Sequence, residues 1–314
     1  MKIALILDPL DGLKTYKDTS VAIMREASRR GHSLFAAEQG DLVLRAGLAR
    51  LQATPLTLQE GDAWYRLGEK SEFAPESFDA ILMRKDPPFD SEYVYSTYLL
   101  EIAGQQGARV FNRPQSIRDW NEKLSVARFP QFAPEFLVTR NCTEIRAFLA
   151  AHGDIVVKPL DGMGGSGVFR LHAADHNIGV ILETITHFER RTVMAQRYLP
   201  EIKAGDKRIL MIDGAPLPYA LARIPKAGET RGNLAAGGTG VAQPLSARDR
   251  QIAETVGPAL KQAGLFLVGL DVIGDHLTEI NVTSPTCMVE IAAQTDCNPA
   301  ALFMDALERT CAAG

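Results

Sequence analysis

The chain has 314 residues, of which 46% are hydrophobic and 23% charged, and a formal net charge of −4 at neutral pH. That length exceeds a typical single core and predicts two or three lobes of an ordinary globular protein. The acidic balance argues against nucleic acid as a partner, and no stretch approaches the roughly 20 apolar residues that would span a membrane.

Lys2 to Asp8 reads as a buried strand, and Asp8 breaks the apolar run too early for an export signal. Asp18 is placed to cap a helix through Val21, Met24 and Ala27, with Gly31 to end it. Phe78 to Met83 is a second apolar strand, followed by the polar turn Arg84-Lys85-Asp86-Pro87-Pro88. A helical stretch from Ser91 to Gln106 leads to a further strand at Arg109 to Asn112. This alternation predicts a parallel, doubly wound α/β lobe ending near residue 120. Cys142, Cys287, Cys297 and Cys311 lie far apart, with no C-x-x-C pair and no zinc spacing, so reduced thiols in a cytoplasmic protein are expected.

Asp119 and Glu122 resemble a helix-start pair, which places Lys123 on a helix that Pro130 stops. Asp154 to Leu160 and Val168 to Leu171 read as strands around a glycine-rich turn. Arg208 to Ile212 and Leu217 to Ile224 flank Asp213-Gly214, a strong hairpin turn. Ser246 with Asp249 starts an amphipathic helix through Ile252, Val256 and Leu260, with Gly264 as its stop. Two last strands, Phe266 to Ile273 and Leu277 to Thr283, flank Gly274-Asp275-His276, so the second half is expected to be α+β with antiparallel hairpins.

Residues 162–167, Gly-Met-Gly-Gly-Ser-Gly, formally match G-x-G-x-x-G, but the β-like Val168 to Leu171 removes the helix that a dinucleotide fold needs. A Walker A loop fails as well, since Val168 follows Gly167 where Lys is required. What remains is a glycine-rich hairpin loop after a strand lysine, Lys158. Its backbone N–H groups can cradle phosphate oxygens while the lysine adds charge.

Glu279 and Asn281 leave one face of the last strand, and a three-residue turn would put Asp271 opposite Glu279. Apolar Leu270, Val272, Ile280 and Val282 alternate with them, so one face is buried and the other carries oxygen ligands suited to Mg²⁺. Arg208 and Arg223 fall on one face of their hairpin, where permanently charged forks can stabilise a transition state. The low-complexity stretch 227–240, with Glu229-Thr-Arg231 at its tip, reads as a lid that keeps water from a reactive intermediate.

Four blocks carry a resemblance: Met83-Arg-Lys-Asp-Pro-Pro-Phe-Asp90, Lys158-Pro-Leu-Asp-Gly-Met-Gly-Gly165, Gly228-Glu-Thr-Arg-Gly-Asn-Leu-Ala-Ala-Gly-Gly238 and Glu279-Ile-Asn-Val-Thr-Ser-Pro-Thr286. They resemble the bacterial glutathione synthetases from residue 1 to about 305. The resemblance implies an ATP-grasp fold with a substrate lobe (1–121), a lid lobe (122–200) and a catalytic lobe (201–314) bearing a mobile loop at 227–240. It implies ATP-dependent joining of γ-glutamylcysteine to glycine through an acyl phosphate, with Mg²⁺ or Mn²⁺, in a homo-oligomer that is commonly tetrameric. Lys123, Lys158, Gly162, Gly164, Gly165, Ser166, Gln196, Tyr198, Leu199 and Asp206 then correspond to nucleotide contacts. Asp271, Glu279 and Asn281 correspond to metal ligands, and Arg208, Arg223 and Arg231 to the catalytic arginines. Val289 and Thr239 depart from the family pattern, each standing where a basic residue is usual. A related ligase for another carboxylate and a non-catalytic ATP-binding protein are the alternative readings.

Overall fold

The computed structural model describes residues 1–313 apart from Asp62, Thr230, Arg231, Asn233, Ala235 and Ala236. The expectation for Arg231, and with it the tip of the 227–240 lid, lies outside the described residues. Among the described residues no helix is long and apolar enough to cross a membrane.

The first sheet is built from β1 (Lys2–Leu7), β2 (Ser33–Glu38), β3 (Leu42–Arg45), β4 (Leu48–Leu58), β5 (Tyr65–Leu67), β6 (Ser71–Phe73), β7 (Ala80–Met83) and β8 (Val110–Phe111). Helices α1 (Thr19–Arg29), α2 (Ser91–Gln105) and α3 (Pro114–Asp119) connect and follow these strands. Strands β2, β1, β7 and β8 run parallel as expected, but β4 joins β2 antiparallel and carries β3, β5 and β6. The lobe is therefore mixed rather than purely parallel. Its central strands β1 and β7 are buried on both faces, which is why they read as continuous apolar runs. The Asp18 cap forms, accepting from Val21 N at 2.9 Å.

The second sheet is antiparallel in the order β11-β10-β12-β9, from β9 (Phe136–Thr139), β10 (Asp154–Pro159), β11 (Phe169–His172) and β12 (Val193–Arg197). Helices α4 (Cys142–His152) and α5 (Ile178–Ile185) pack Ile145, Leu149, Leu182 and Ile185 against its Ile155, Val157 and Val193. The expected helix at 119–130 is absent. Asp119 ends α3, Asn121 Oδ1 accepts from Lys123 N and Leu124 N in a tight turn, and only a 3₁₀ segment follows at Leu124–Arg128. The asparagine's local bonds compete successfully with α-helix there.

The third sheet, in the order β15-β14-β13-β16-β17, comprises β13 (Asp206–Ile212), β14 (Ala215–Ile224), β15 (Thr239–Pro244), β16 (Leu267–Ile273) and β17 (His276–Asn281). Helix α6 (Ala247–Ala263) begins in the expected Ser246/Asp249 capping box and ends at left-handed Gly264. Its Ile252, Val256 and Leu260 cover Ile209, Met211, Val268, Leu270 and Ile280 on one face of the sheet. On the opposite face, Leu210, Ile212 and Leu217 share a core with Ile3 and Leu5 of β1 and with α7 (Met288–Gln294) and α8 (Pro299–Ala312). Two residues before Leu210 on that face stands Arg208, and there the surface turns polar.

An ion-pair cluster ties α1 to α8. Glu26 accepts from Arg29 (2.7 Å) and Arg30 (2.7 Å), and Arg30 continues to Asp305 (2.7 Å) and Glu308 (2.9 Å). Hydrogen bonding from Arg29 and then Arg30, against the opposing effect of burial, lowers the Glu26 carboxyl to about 2. Because the folded pKa lies below the unfolded one, this stabilisation is present above about pH 4.5 and is lost as pH falls toward 2. Glu26→Gln should cost about 1–2 kcal/mol at neutral pH and melt at a temperature that changes less than wild type between pH 5 and 2.5. Equal acid sensitivity in the two proteins would remove Glu26 as its source.

Candidate active site

A cleft of about 720 Å³ lies where the three sheets meet. Its floor is the polar face of the third sheet. The register places Arg208 beside Asp271 and Asp271 beside Glu279, while Arg223 lies opposite Asp206. A cross-strand row of this kind brings side chains within contact distance on one face.

Asp271 sits at the centre. Arg208 donates from Nε to Oδ1 (2.5 Å) and from Nη2 to Oδ2 (3.1 Å), and Arg223 Nη2 reaches Oδ2 at 2.8 Å. Burial alone would raise this carboxyl, but the Arg208 and Arg223 guanidiniums hold it far below the usual range. Arg223 also binds Asp206 Oδ2 at 2.5 Å. Burial pushes the Asp206 carboxyl up to about 7, with repulsion from Asp271 adding to it and Arg223 opposing it. Asp206, expected among the nucleotide contacts, lines the cleft and is paired with Arg223. Its Oδ1 is buried with no partner among the described residues.

Gly269 makes room for this arrangement. A Cβ there would fall 2.8 Å from Arg208 Cδ and 3.0 Å from its Nε. Gly269→Ala should therefore displace the guanidinium from Asp271 and lower turnover about tenfold or more. An unaltered kcat would show that the exact seating of Arg208 is unimportant.

Glu279 is held from the other side. Lys158 Nζ lies 3.2 Å from its Oε1 and 3.3 Å from Thr278 O, while Lys123 Nζ lies 3.7 Å from Oε1 and donates to Gly162 O at 2.8 Å. Although burial opposes it, the Lys123 and Lys158 ammoniums lower the Glu279 carboxyl. Asn281 Nδ2 donates to Gly269 O at 3.1 Å. The turn before β17 has two residues rather than three, since Ile273 pairs with His276. A bulge at Thr278 supplies the missing residue, so Asp271 faces Glu279 after all.

The glycine loop bridges antiparallel β10 and β11, so it is a hairpin and not a helix entry. Gly164, Gly165 and Gly167 have φ of 62°, 79° and 67°, a left-handed path that only glycine takes readily three times in six residues. Ser166 is an exposed loop residue whose N–H donates to Met163 O at 3.0 Å. Gln196, on β12 beside the loop, is buried and its Nε2 has no partner among the described residues. Tyr198 stacks under Arg170 at 3.7 Å, and Leu199 is buried at the same end of the cleft.

Three charged residues in or beside the cleft have partners that sequence spacing does not indicate. Glu122 was read as a helix-start residue, but its Oε1 accepts from Val282 N (3.2 Å), Thr283 N (3.3 Å) and Thr283 Oγ1 (2.8 Å). Arg84, of the polar turn, lies behind the cleft lining, is buried, and donates to Ser20 Oγ (3.1 Å) and Pro285 O (2.9 Å). Asp86 accepts from Ser284 Oγ at 2.5 Å, and burial raises its carboxyl. These bonds span between 64 and 201 residues, and the one local cue is the charged run interrupted by two prolines.

The donor set fits a hard divalent cation. Among the described residues no three His, Cys, Asp or Glu side chains converge. Asp271, Glu279 and Asn281 instead offer two carboxylates and an amide, which suits an ion that draws its other ligands from phosphate and water. The orphaned Gln196 amide and the glycine-lined loop fit a nucleotide with its base at β12 and its phosphates toward Lys158.

The fold is an ATP-grasp fold, and the protein is an ATP-dependent ligase of that class. Solved structures agree on the architecture: the D-cycloserine synthetase DcsG superposes with a TM-score of 0.70 at 14% identity, covering 98% of this chain and 99% of that one. The chain belongs to the prokaryotic glutathione synthetase family, whose N-terminal domain matches residues 1–118 and whose ATP-grasp domain matches residues 122–296. Among its relatives, the glutathione synthetase of Nitrosomonas europaea is 61% identical, covering 99% of each chain. That of Ralstonia nicotianae is 57% identical, covering 98% of this chain and 96% of its own.

Proposed function

We propose that this chain joins γ-glutamylcysteine to glycine at the expense of ATP. Residues 1–121 would hold the dipeptide, 122–200 would close over the nucleotide, and 201–314 would carry the chemistry. A cysteinyl carboxylate oxygen attacks the γ-phosphorus, ADP leaves, and an acyl phosphate forms. The glycine amine then adds to the acyl carbon, loses a proton, and expels phosphate.

The Arg208–Asp271–Arg223 cluster carries this reading, because it puts two permanent positive charges where charge develops on the transferring group. Lys158 and Lys123 would exchange Glu279 for phosphate oxygens, which frees that carboxylate to join Asp271 and Asn281 as ligands. When bound there, Mg²⁺ supplies neutralisation of phosphate charge. The glycine loop would present backbone N–H groups to the phosphates, and Gln196, Tyr198 and Leu199 would bound the base.

Oxygen labelling tests the chemistry. With ¹⁸O in both cysteinyl carboxylate oxygens, one label should appear in the released phosphate and one remain in the new amide. Unlabelled phosphate would exclude the acyl phosphate.

A further inference from the structure

The glycine loop is tied down at its entrance by residues from outside it. Asn121 Nδ2 donates to Leu160 O at 3.1 Å and Lys123 Nζ to Gly162 O at 2.8 Å. Between them the Asp161 carboxylate accepts from Arg191 Nη2. Farther along, Ser166 N donates to Met163 O (3.0 Å) and Val168 N to Gly165 O (3.4 Å), bonds that stay within the loop.

Arg191 reaches Asp161 because of strand register. Pro159 of β10 pairs antiparallel with Val193 of β12. Two residues past Pro159 and two before Val193, Asp161 and Arg191 stand opposite each other just beyond the strand ends. They continue the helix side of the sheet, where Val157, Val193 and Ala195 pack with α4 and α5. Lys158 and Gln196 leave the other face into the cleft, which neither Asp161 nor Arg191 lines. The ion pair therefore grips the loop from behind and is not placed to touch a nucleotide.

The chain bends sharply to bring Arg191 into that register. His187, Phe188 and Glu189 have φ of 48°, 56° and 59°, three successive left-handed residues whose Cβ atoms the conformation disfavours. Burial of a side chain does not explain the turn, since Phe188 is 71% exposed. Hydrogen bonds to Thr186 and to the start of α4 hold it instead. Thr186 O accepts from Arg190 N (2.9 Å) and Arg191 N (2.7 Å), and Glu189 Oε1 accepts from Cys142 N (2.6 Å). The Arg191 backbone is thus fixed independently of its ion pair.

We propose that Arg191, acting through Asp161, is a positioning residue that holds the glycine loop ready for the triphosphate. A loop with four glycines in six residues has much entropy to lose on ordering. A tie that orders it beforehand removes part of that cost from nucleotide binding. This rests on the reading of the loop as the phosphate cradle of the ligase.

Calorimetric titration with Mg·AMPPNP, a non-hydrolysable ATP analogue, tests the tie without turnover. Arg191→Ala and Asp161→Ala should each raise the Kd about three- to fivefold, the upper range for a partly exposed ion pair. The KM for ATP should rise alike, with kcat within about twofold. Removing both side chains should cost no more than removing one. The exchanged pair, Arg191→Asp with Asp161→Arg, should recover most of the lost affinity, which a merely structural role for either residue would not produce. Amide hydrogen exchange of residues 161–167 should speed up in Arg191→Ala while that of β12 stays unchanged. A wild-type Kd in both single variants, or additive losses in the double variant, would overturn the tie. If wild type binds Mg·AMPPNP yet makes no glutathione, the ligase reading falls while the Kd ratios still judge the tie. No binding by wild type would overturn both.

Discussion

Replacing Arg208 with alanine should lower kcat by about 10²- to 10³-fold, the usual loss for one group aimed at developing charge. The KM for ATP should stay within a few-fold, because the Arg208 guanidinium is bound to Asp271 and not to the glycine loop. Such a split marks an interaction made in the transition state and not in the ground state. The same change leaves Asp271 with Arg223 as its remaining guanidinium, so the melting temperature should also fall, and rates are best compared well below it. Arg208→Lys keeps the charge but loses the two-pronged contact, and should fall between alanine and wild type. A rise in the KM for ATP matching the loss in kcat would assign Arg208 to nucleotide binding instead.

Asn112→Ala should cause the largest loss of stability, about 4 kcal/mol, which corresponds to roughly 10 °C in melting temperature. The buried Asn112 amide fastens the end of β8 to the third sheet with its full bonding capacity. Nδ2 donates to Leu267 O (2.9 Å) and Val282 O (2.8 Å), while Oδ1 accepts from Phe266 N (2.5 Å) and Leu267 N (2.8 Å). Alanine strands four buried backbone groups at once. Asn112→Asp keeps the size but turns an acceptor toward two carbonyls, so it should be at least as harmful. A thermal melt of either variant within 2 °C of wild type would show that water satisfies these groups at little cost.

The polar face of the third sheet was legible because strand geometry has period two. A slip between Ile209 and Met211 moves the β13–β14 pairing by two residues, and parity survives, so Arg208 and Arg223 share a face as expected. Asp271 met Glu279 for a different reason from the one expected, a shorter turn offset by the Thr278 bulge. Sequence spacing did not indicate which cation each carboxylate would choose. Asp271 is closed in by arginines and Glu279 by lysines, an outcome of tertiary distance rather than of local order. The antiparallel edge of the first sheet lies outside the parallel α/β expectation. Leu48 to Leu58 alternates in burial along most of its length, and Ala46-Gly47 before it has positive φ at both residues, a hairpin turn. The partners of Glu122, Arg84 and Asn112 had no such signal, since they lie far along the chain. The glycine loop, by contrast, announced itself by composition and by the strands on both sides.

The central claim is tested most directly by measuring ADP release from the purified protein while omitting one reactant at a time. With γ-glutamylcysteine, glycine, ATP and Mg²⁺ all present, ADP should form in equal amount to glutathione, and omission of any one of them should stop it. ADP formed at the same rate from unrelated dipeptides and amines, or none from the complete mixture, would contradict the account.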